Sequence, residues 1–276
     1  MGFWNFVQEA QIGISAALKV VRRRILRKFR KVRNCWLFKP PRTRFCIPCR
    51  QRISSAVLEK KNLQAWRPIK LASADSMAAV FIHIPKTGGT SLRAALTSDA
   101  GFEAVQPGRG IRSTRVVIPH HNPDWLIKKG LLNADELADA FSFVLVRDPV
   151  DRAISSYRYA LATKRIPAFW KFEDFLLCVK RERPQIGGFM ESRMTHAAPQ
   201  VAWLQQSEWS GPSQVYRIEN LSNSISELSE KLEKKIQIPF LNRSTGDKPS
   251  PSTRAKELIA SIYSADFEFL GYEPPL

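Results

Sequence analysis

The sequence predicts an α/β fold built on a central parallel sheet. Two segments, Ala78–Leu92 and Phe141–Tyr159, carry that expectation. Each runs from a short apolar stretch through a tight turn into a helical pattern, as strands buried on both faces of a parallel sheet do. Charge supplies the third observation. Met1–Lys70 holds 18 basic and 2 acidic residues, net +16, whereas Leu71–Leu276 holds 25 and 23, net +2. The extreme basicity therefore belongs to an N-terminal arm and linker over 1–70. The near-neutral remainder, 71–276, is long enough for one domain with a sizeable core.

In the first segment, AAVFIHIPKTGGTSL, the residues Val80, Phe81, Ile82 and Ile84 form the expected strand, which ends at Pro85. The turn Lys86-Thr87-Gly88-Gly89-Thr90-Ser91 follows, and Leu92, Ala95 and Leu96 open an apolar helical face. Strand, glycine turn and helix together suit a phosphate, because free N–H groups and the helix dipole point at the anion. Gly88 and Gly89 permit close approach. Lys86 adds a cation, and Thr87, Thr90 and Ser91 add hydroxyl donors. The loop is not a Walker A motif: Lys86 precedes the glycines, and no Gly-Lys-Ser/Thr occurs in the chain.

In the second segment, FSFVLVRDPVDRAISSYRY, the stretch Phe141–Val146 reads as another buried parallel strand. Asp148 suits an N-cap and Pro149 the first helical position. Val150, Ile154, Tyr157 and Leu161 then form a core-facing stripe. Arg147 falls at the carboxyl end of its strand, where open α/β sheets bind ligands. Ser155 follows about two helical turns later.

HIPKTGGTSL closely resembles the 5′-phosphosulfate loop of sulfotransferases that use PAPS (3′-phosphoadenylyl sulfate). In form it is similar to the heparan-sulfate 2-O-type carbohydrate sulfotransferases and their bacterial relatives. Arg147 and Ser155 resemble that family's 3′-phosphate site, which an Arg fork suits by its paired charge-assisted bonds. The likeness covers about Met77–Tyr272. It implies a P-loop-NTPase-like three-layer fold with helices on both faces of the sheet. It also implies a cofactor site of Lys86, Thr87, Gly88, Gly89, Thr90, Ser91, Arg147 and Ser155, with no metal. The implied reaction moves a sulfuryl group from PAPS to a hydroxyl acceptor, with carbohydrate favoured.

Such an acceptor needs a general base, for which His is apt. The related enzymes place one in the interval that here reads VVIPHHNPDWL, ahead of a helix. His121, with Ile127 six positions on, fits that pattern better than His120, and the two remain alternatives. His83 reads as a core histidine. His196 and Gln200, in HAAPQVAWL, resemble a segment before the acceptor-side helix, which makes Gln200 an acceptor contact. Val215–Leu221 resembles a late strand and turn. Ile238–Ser244 resembles a cofactor loop, with Asn242, Arg243 and Ser244 as further candidates, and Asp266–Tyr272 a closing segment. Ser250–Ser264 reads as a helix with Ala255, Leu258, Ile259 and Ile262 inward. Lys164–Met194 and the loop Glu103–Ile118 are expected to shape the acceptor site; in that loop Arg109, Arg112 and Arg115 suit an anionic sugar, and read more readily as a solvated basic stretch.

The arm begins with Phe3, Trp4, Phe6 and Val7 and continues into Arg22–Arg24, Arg27, Lys28, Arg30 and Lys31. Its longest uncharged run, Ala10–Leu18, is far short of the ~20 residues that span a bilayer. The pattern fits an anionic membrane surface better than nucleic acid, and implies a cytoplasmic enzyme peripheral to the inner face of a membrane. Cys46-Ile47-Pro48-Cys49, with Cys35 nearby, lacks a clear fourth zinc ligand. Two rival functions stand beside sulfotransfer. A nucleotide kinase would need a Gly-Lys-Ser/Thr loop and a magnesium carboxylate. A catalytically inactive module would use the arm to hold anionic polymers.

Overall fold

The computed structural model describes residues 77–106, 111–182, 194–204, 208–209, 211–238 and 250–275. The basic arm, Cys35, Cys46, Cys49, Arg109, Asn242, Arg243 and Ser244 lie outside the described residues. In chain order the elements are β1 (Ala79–His83), α1 (Gly89–Ala100), β2 (Glu103–Ala104), β3 (Arg115–Pro119), α2 (Pro123–Lys128), α3 (Ala134–Asp139) and β4 (Phe141–Val146). There follow α4 (Pro149–Ala162), α5 (Phe172–Glu182), β5 (Gln214–Arg217), α6 (Leu221–Lys231), α7 (Thr253–Ile262) and α8 (Ser264–Leu270). Short 3₁₀ turns occupy Thr195–Ala197, Gln200–Trp203 and Ile218–Asn220.

The five strands form one parallel sheet in the order β2-β3-β1-β4-β5. All five residues of β1 are buried. The pleat sorts the strand side chains into two layers. Val80, Ile82, Val116, Ile118, Val144 and Val146 face Leu126 of α2, Leu137 of α3 and Trp203. Ala79, Phe81, Val117, Phe143 and Leu145 face Leu92, Ala95 and Leu96 of α1 and Leu228 of α6. Helices thus cover both faces, giving the three-layer, P-loop-NTPase-like arrangement expected. The chain leaves central β1 toward β3 and later returns on the other side as β4. That reversal opens a crevice at the carboxyl ends of β1, β3 and β4, where such sheets bind ligands.

A separate apolar cluster joins α4, α5, α7 and α8 through Ile154, Phe175, Ile259 and Phe267. Val150, Tyr157 and Leu161 pack against it as the stripe predicts, each only partly buried. The predicted helix over 250–264 is shorter than expected: Ser252 caps α7 by accepting from the Ala255 N–H, and a second helix starts at Ser264.

The buried side of α4 also carries an arginine, which the apolar stripe gave no reason to expect. Arg152 is 1% exposed. Its Nε donates to the Pro85 carbonyl at 3.0 Å, Nη1 to Ala198 at 2.7 Å and Nη2 to His196 at 3.3 Å. The buried Asp266 carboxylate supplies the opposing charge. Arg152→Met removes the guanidinium from the buried Pro85 and Ala198 carbonyls, leaves the His196 carbonyl with the Ser156 hydroxyl, and strips Asp266 of its counter-charge; it should cost at least about 3 kcal/mol. Urea denaturation checks this; a loss below about 1 kcal/mol contradicts the bracing role.

Candidate active site

Pro85 closes β1, and the next residues turn sharply. Lys86 adopts a left-handed φ of 69° and Gly88 one of 84°. Gly88 is the N-cap of α1 and provides no side-chain cap. Helices α2, α3, α4 and α7 are all capped, by Asn122, Asn133, Asp148 and Ser252 respectively. The first N–H groups of α1 therefore open onto the crevice without a competing side-chain acceptor. No acidic residue stands in its first turn, leaving the positive dipole end uncompensated. Gly89 is required for a different reason: a Cβ there would collide with the His83 imidazole.

The crevice is a cavity of about 540 Å³. Lys86, Gly88, Gly89, Thr90, Ser91, Arg147 and Ser155 line it, together with His83, His120, Tyr159 and His196. The two phosphate motifs thus converge on one space. Among the described residues its charged lining is Lys86, Arg147 and Arg158 against Asp151 alone, so it suits an anion. Thr87 differs from expectation. It is fully buried, and its hydroxyl donates to the Ile84 carbonyl at 3.0 Å. Its side chain stabilises the turn and does not reach the cavity, leaving only its main chain near the loop.

The Lys86 ammonium lies 4.3 Å from the centre of the Tyr159 ring. Burial, then Arg147 and Arg152, pull its pKa below the usual lysine value. Arg147 makes one long ion pair, 3.5 Å from Asp151. A multiply charged ligand can outcompete so weak a contact.

Three imidazoles form one wall. His83 and His120 meet edge to face at 4.6 Å, and His120 and His196 at 5.4 Å. His120, not the favoured His121, lines the cavity. The reason is the turn after β3: His120 takes a left-handed φ of 59°, and its N–H donates to the His83 carbonyl. The His121 ring turns back onto the Pro119 carbonyl instead. His83, expected as a satisfied core residue, is 3% exposed, yet among the described residues its Nδ1 has no hydrogen-bond partner. Among the same residues neither ring nitrogen of His196 has one. Among the described residues no three His, Cys, Asp or Glu side chains are arranged to hold a metal, this trio included.

Two further expectations are corrected. Gln200 is fully buried and bonds the Arg147 main chain, so it is no acceptor contact. Arg112 and Arg115 lie at the amino end of β3, away from the cavity. Arg115 donates to the Ala100 and Leu232 carbonyls, a structural use of its charge. Arg152, Tyr159 and the cavity-facing role of His83 were not anticipated; only Lys86 and Arg147 had a recognisable loop around them.

The sequence profile of the Sulfotransferase family matches residues 71–273, so the chain belongs to that family. It is therefore an enzyme, a sulfotransferase, and the family implies a hydroxyl-bearing acceptor. Among solved structures, it is similar to a sulfotransferase from Alicyclobacillus acidocaldarius at 13% identity and a TM-score of 0.39, over 74% of this chain and 98% of that one. It is also similar to mouse sulfotransferase SULT7A1 complexed with PAP at 17% identity and a TM-score of 0.36, over 70% and 68% of the two chains. No curated protein sequence matches it significantly. Among the described residues no helix is long and apolar enough to cross a membrane.

The histidine wall makes a prediction about pH. Burial, first, and then neighbouring positive groups hold His120 down to about 4 and His196 down to about 3. The unfolded chain therefore binds protons below about pH 6.5 that the folded chain refuses. Stability should fall as pH drops from 6.5, by up to about 1.4 kcal/mol per pH unit for each such imidazole. Urea midpoints measured between pH 7 and 5 check this, and His196→Gln should flatten the slope. A slope identical in that variant contradicts the assignment.

Proposed function

We propose that this sulfotransferase takes its sulfuryl group from PAPS and delivers it to a carbohydrate hydroxyl by in-line displacement, with His120 as general base. The observation that carries the reading is the convergence of Lys86, the uncapped start of α1, Arg147 and Ser155 on one cavity. When bound, PAPS supplies an activated sulfuryl group on a 5′-phosphate and a second, 3′-phosphate. The N–H groups of Gly88, Gly89 and Thr90 suit the 5′ end, with the Ser91 N–H turned to the Gly88 carbonyl, and Arg147 with Ser155 suits the 3′ end. Lys86 stands at the loop's edge, where its charge neutralises the leaving phosphate. Positioning and preorganised charge carry such a transfer, as in phosphoryl transfer.

His120 suits the base because it lines the cavity beside Lys86 and is neutral at pH 7. The acceptor proton moves to its ring nitrogen as the new S–O bond forms. A bound polyanion favours the imidazolium and raises the pKa of His120 from its ligand-free value. His196, also neutral, offers one donor and one acceptor, which fits a hydroxyl-rich acceptor.

Titration of the thermal midpoint with PAP, ADP and ATP·Mg²⁺ tests the donor. At a hundredfold excess over Kd, binding adds about 2.7 kcal/mol, enough to shift the midpoint by a few degrees. The expected result is a larger shift with PAP than with ADP. A response to ATP·Mg²⁺ alone would favour the kinase, and no response would favour the inactive module. Lys86→Ala should lower PAP release from PAPS by at least about two decades and leave folding intact; near-normal turnover would remove Lys86 from the chemistry.

The pH profile separates the base from a bystander. Activity should be lost toward acid, as His120 gains a proton. For kcat/KM, which reports free enzyme, the acid limb belongs near the His120 value of about 4. For kcat it moves higher, because the bound anion favours protonation. His120→Ala removing neither limb would exclude this base.

A further inference from the structure

Arg147 is the first residue beyond β4. Pairing of β4 with β1 ends at Val144, and with β5 at Val146. Its main-chain N–H and carbonyl lie past the last paired residue of β4 on either side. Gln200, 53 residues away, bonds both: Nε2 donates to the Arg147 carbonyl at 2.8 Å, and Oε1 accepts from the Arg147 N–H at 3.0 Å. Gln200 is itself anchored. Its N–H donates to Asp266 at 2.8 Å, and the Val201 N–H donates to the same carboxylate at 2.9 Å. Both Gln200 and Asp266 are fully buried. The main chain of Arg147 is thus locked through a buried carboxylate on α8, while its guanidinium stays open to ligand with one long contact to Asp151.

We propose that Gln200 is the positioning residue for the 3′-phosphate, holding the Arg147 main chain so that its guanidinium fork meets that group and not the 5′ end. This rests on the reading of Arg147 as the 3′-phosphate residue. The lock is selective by geometry. It grips Arg147 and touches none of Lys86, Gly88, Gly89, Thr90 or Ser91. Displacing a charged contact by about 1 Å can forfeit most of its value, so slackening Arg147 weakens ligands that use it far more than those that do not.

PAP and 5′-AMP differ only in the 3′-phosphate, so their Kd ratio isolates its contribution. Calorimetric titration of the full chain should show wild-type protein preferring PAP. Gln200→Glu loses the donor and faces a carbonyl with a carboxylate; Gln200→Met keeps the length and removes both bonds. In either variant the preference should fall about tenfold or more, with AMP affinity nearly unchanged. Equal weakening of both ligands, or an unchanged preference, overturns the proposal and leaves Gln200 a general support. A wild-type protein that does not prefer PAP instead overturns the 3′-phosphate reading of Arg147. Amide hydrogen exchange covers the case in which both variants fail to fold. The Arg147 N–H should be protected in ligand-free wild-type protein, and fast exchange there contradicts the lock.

Discussion

A single buried guanidinium holds the working parts of this domain together. Arg152 reaches from α4 to the carbonyl of Pro85, one residue before Lys86, and to those of His196 and Ala198. Three segments distant in sequence are thereby fixed: the phosphate loop, the first helix of the second motif, and the turn that carries His196. A buried cation is costly unless its donors are satisfied and a counter-charge is near. Here three carbonyls and Asp266 meet both conditions, and the same carboxylate fixes the turn at Gln200. The loop and the histidine wall therefore cannot move independently.

The cavity that results has a divided electrostatic character. Its entrance for anions is built from Lys86, Arg147, Arg158 and the open dipole end of α1. Its wall of His83, His120 and His196 is kept uncharged first by burial, then by the neighbouring imidazoles and nearby cations: Arg93 at His83, Arg93 and Lys86 at His120, and Arg165, Lys86 and Arg152 at His196. A neutral imidazole can accept a proton, whereas an imidazolium cannot. In the reaction proposed above, Lys86 would serve both parts, as a cation for the donor and as a charge that keeps His120 neutral. Left-handed backbone at both Lys86 and His120 aims the two side chains into one space, a strain of about 1–3 kcal/mol each that the packed core sustains.

The sheet was legible because buried parallel strands leave continuous apolar runs: β4 spans the Phe141–Val146 expected of it, and β1 covers most of the predicted run. The phosphate loop was legible for a local reason, since glycines, a lysine and hydroxyls lie within six consecutive residues. What escaped depends on distant partners. Arg152 interrupts an apolar stripe, and its acceptors lie 44 to 67 residues away. Gln200 read as an acceptor contact because its actual partner, Arg147, is remote in the chain. The choice between His120 and His121 turned on one left-handed φ, which a His-His pair does not announce. Thr87 misled in the opposite direction, since its hydroxyl satisfies a strand carbonyl inside its own turn.

The central claim is that one cavity holds two phosphates at separate, assigned places. Phosphorus NMR of PAP bound to the wild-type chain and to Lys86→Ala and Arg147→Ala measures this directly, because the two phosphorus atoms resonate apart. Both resonances should move on binding to wild-type protein. Lys86→Ala should diminish the displacement of the 5′ signal, and Arg147→Ala that of the 3′ signal. Displacement of only one signal in the wild type, or equal effects of both substitutions on both signals, would contradict the account.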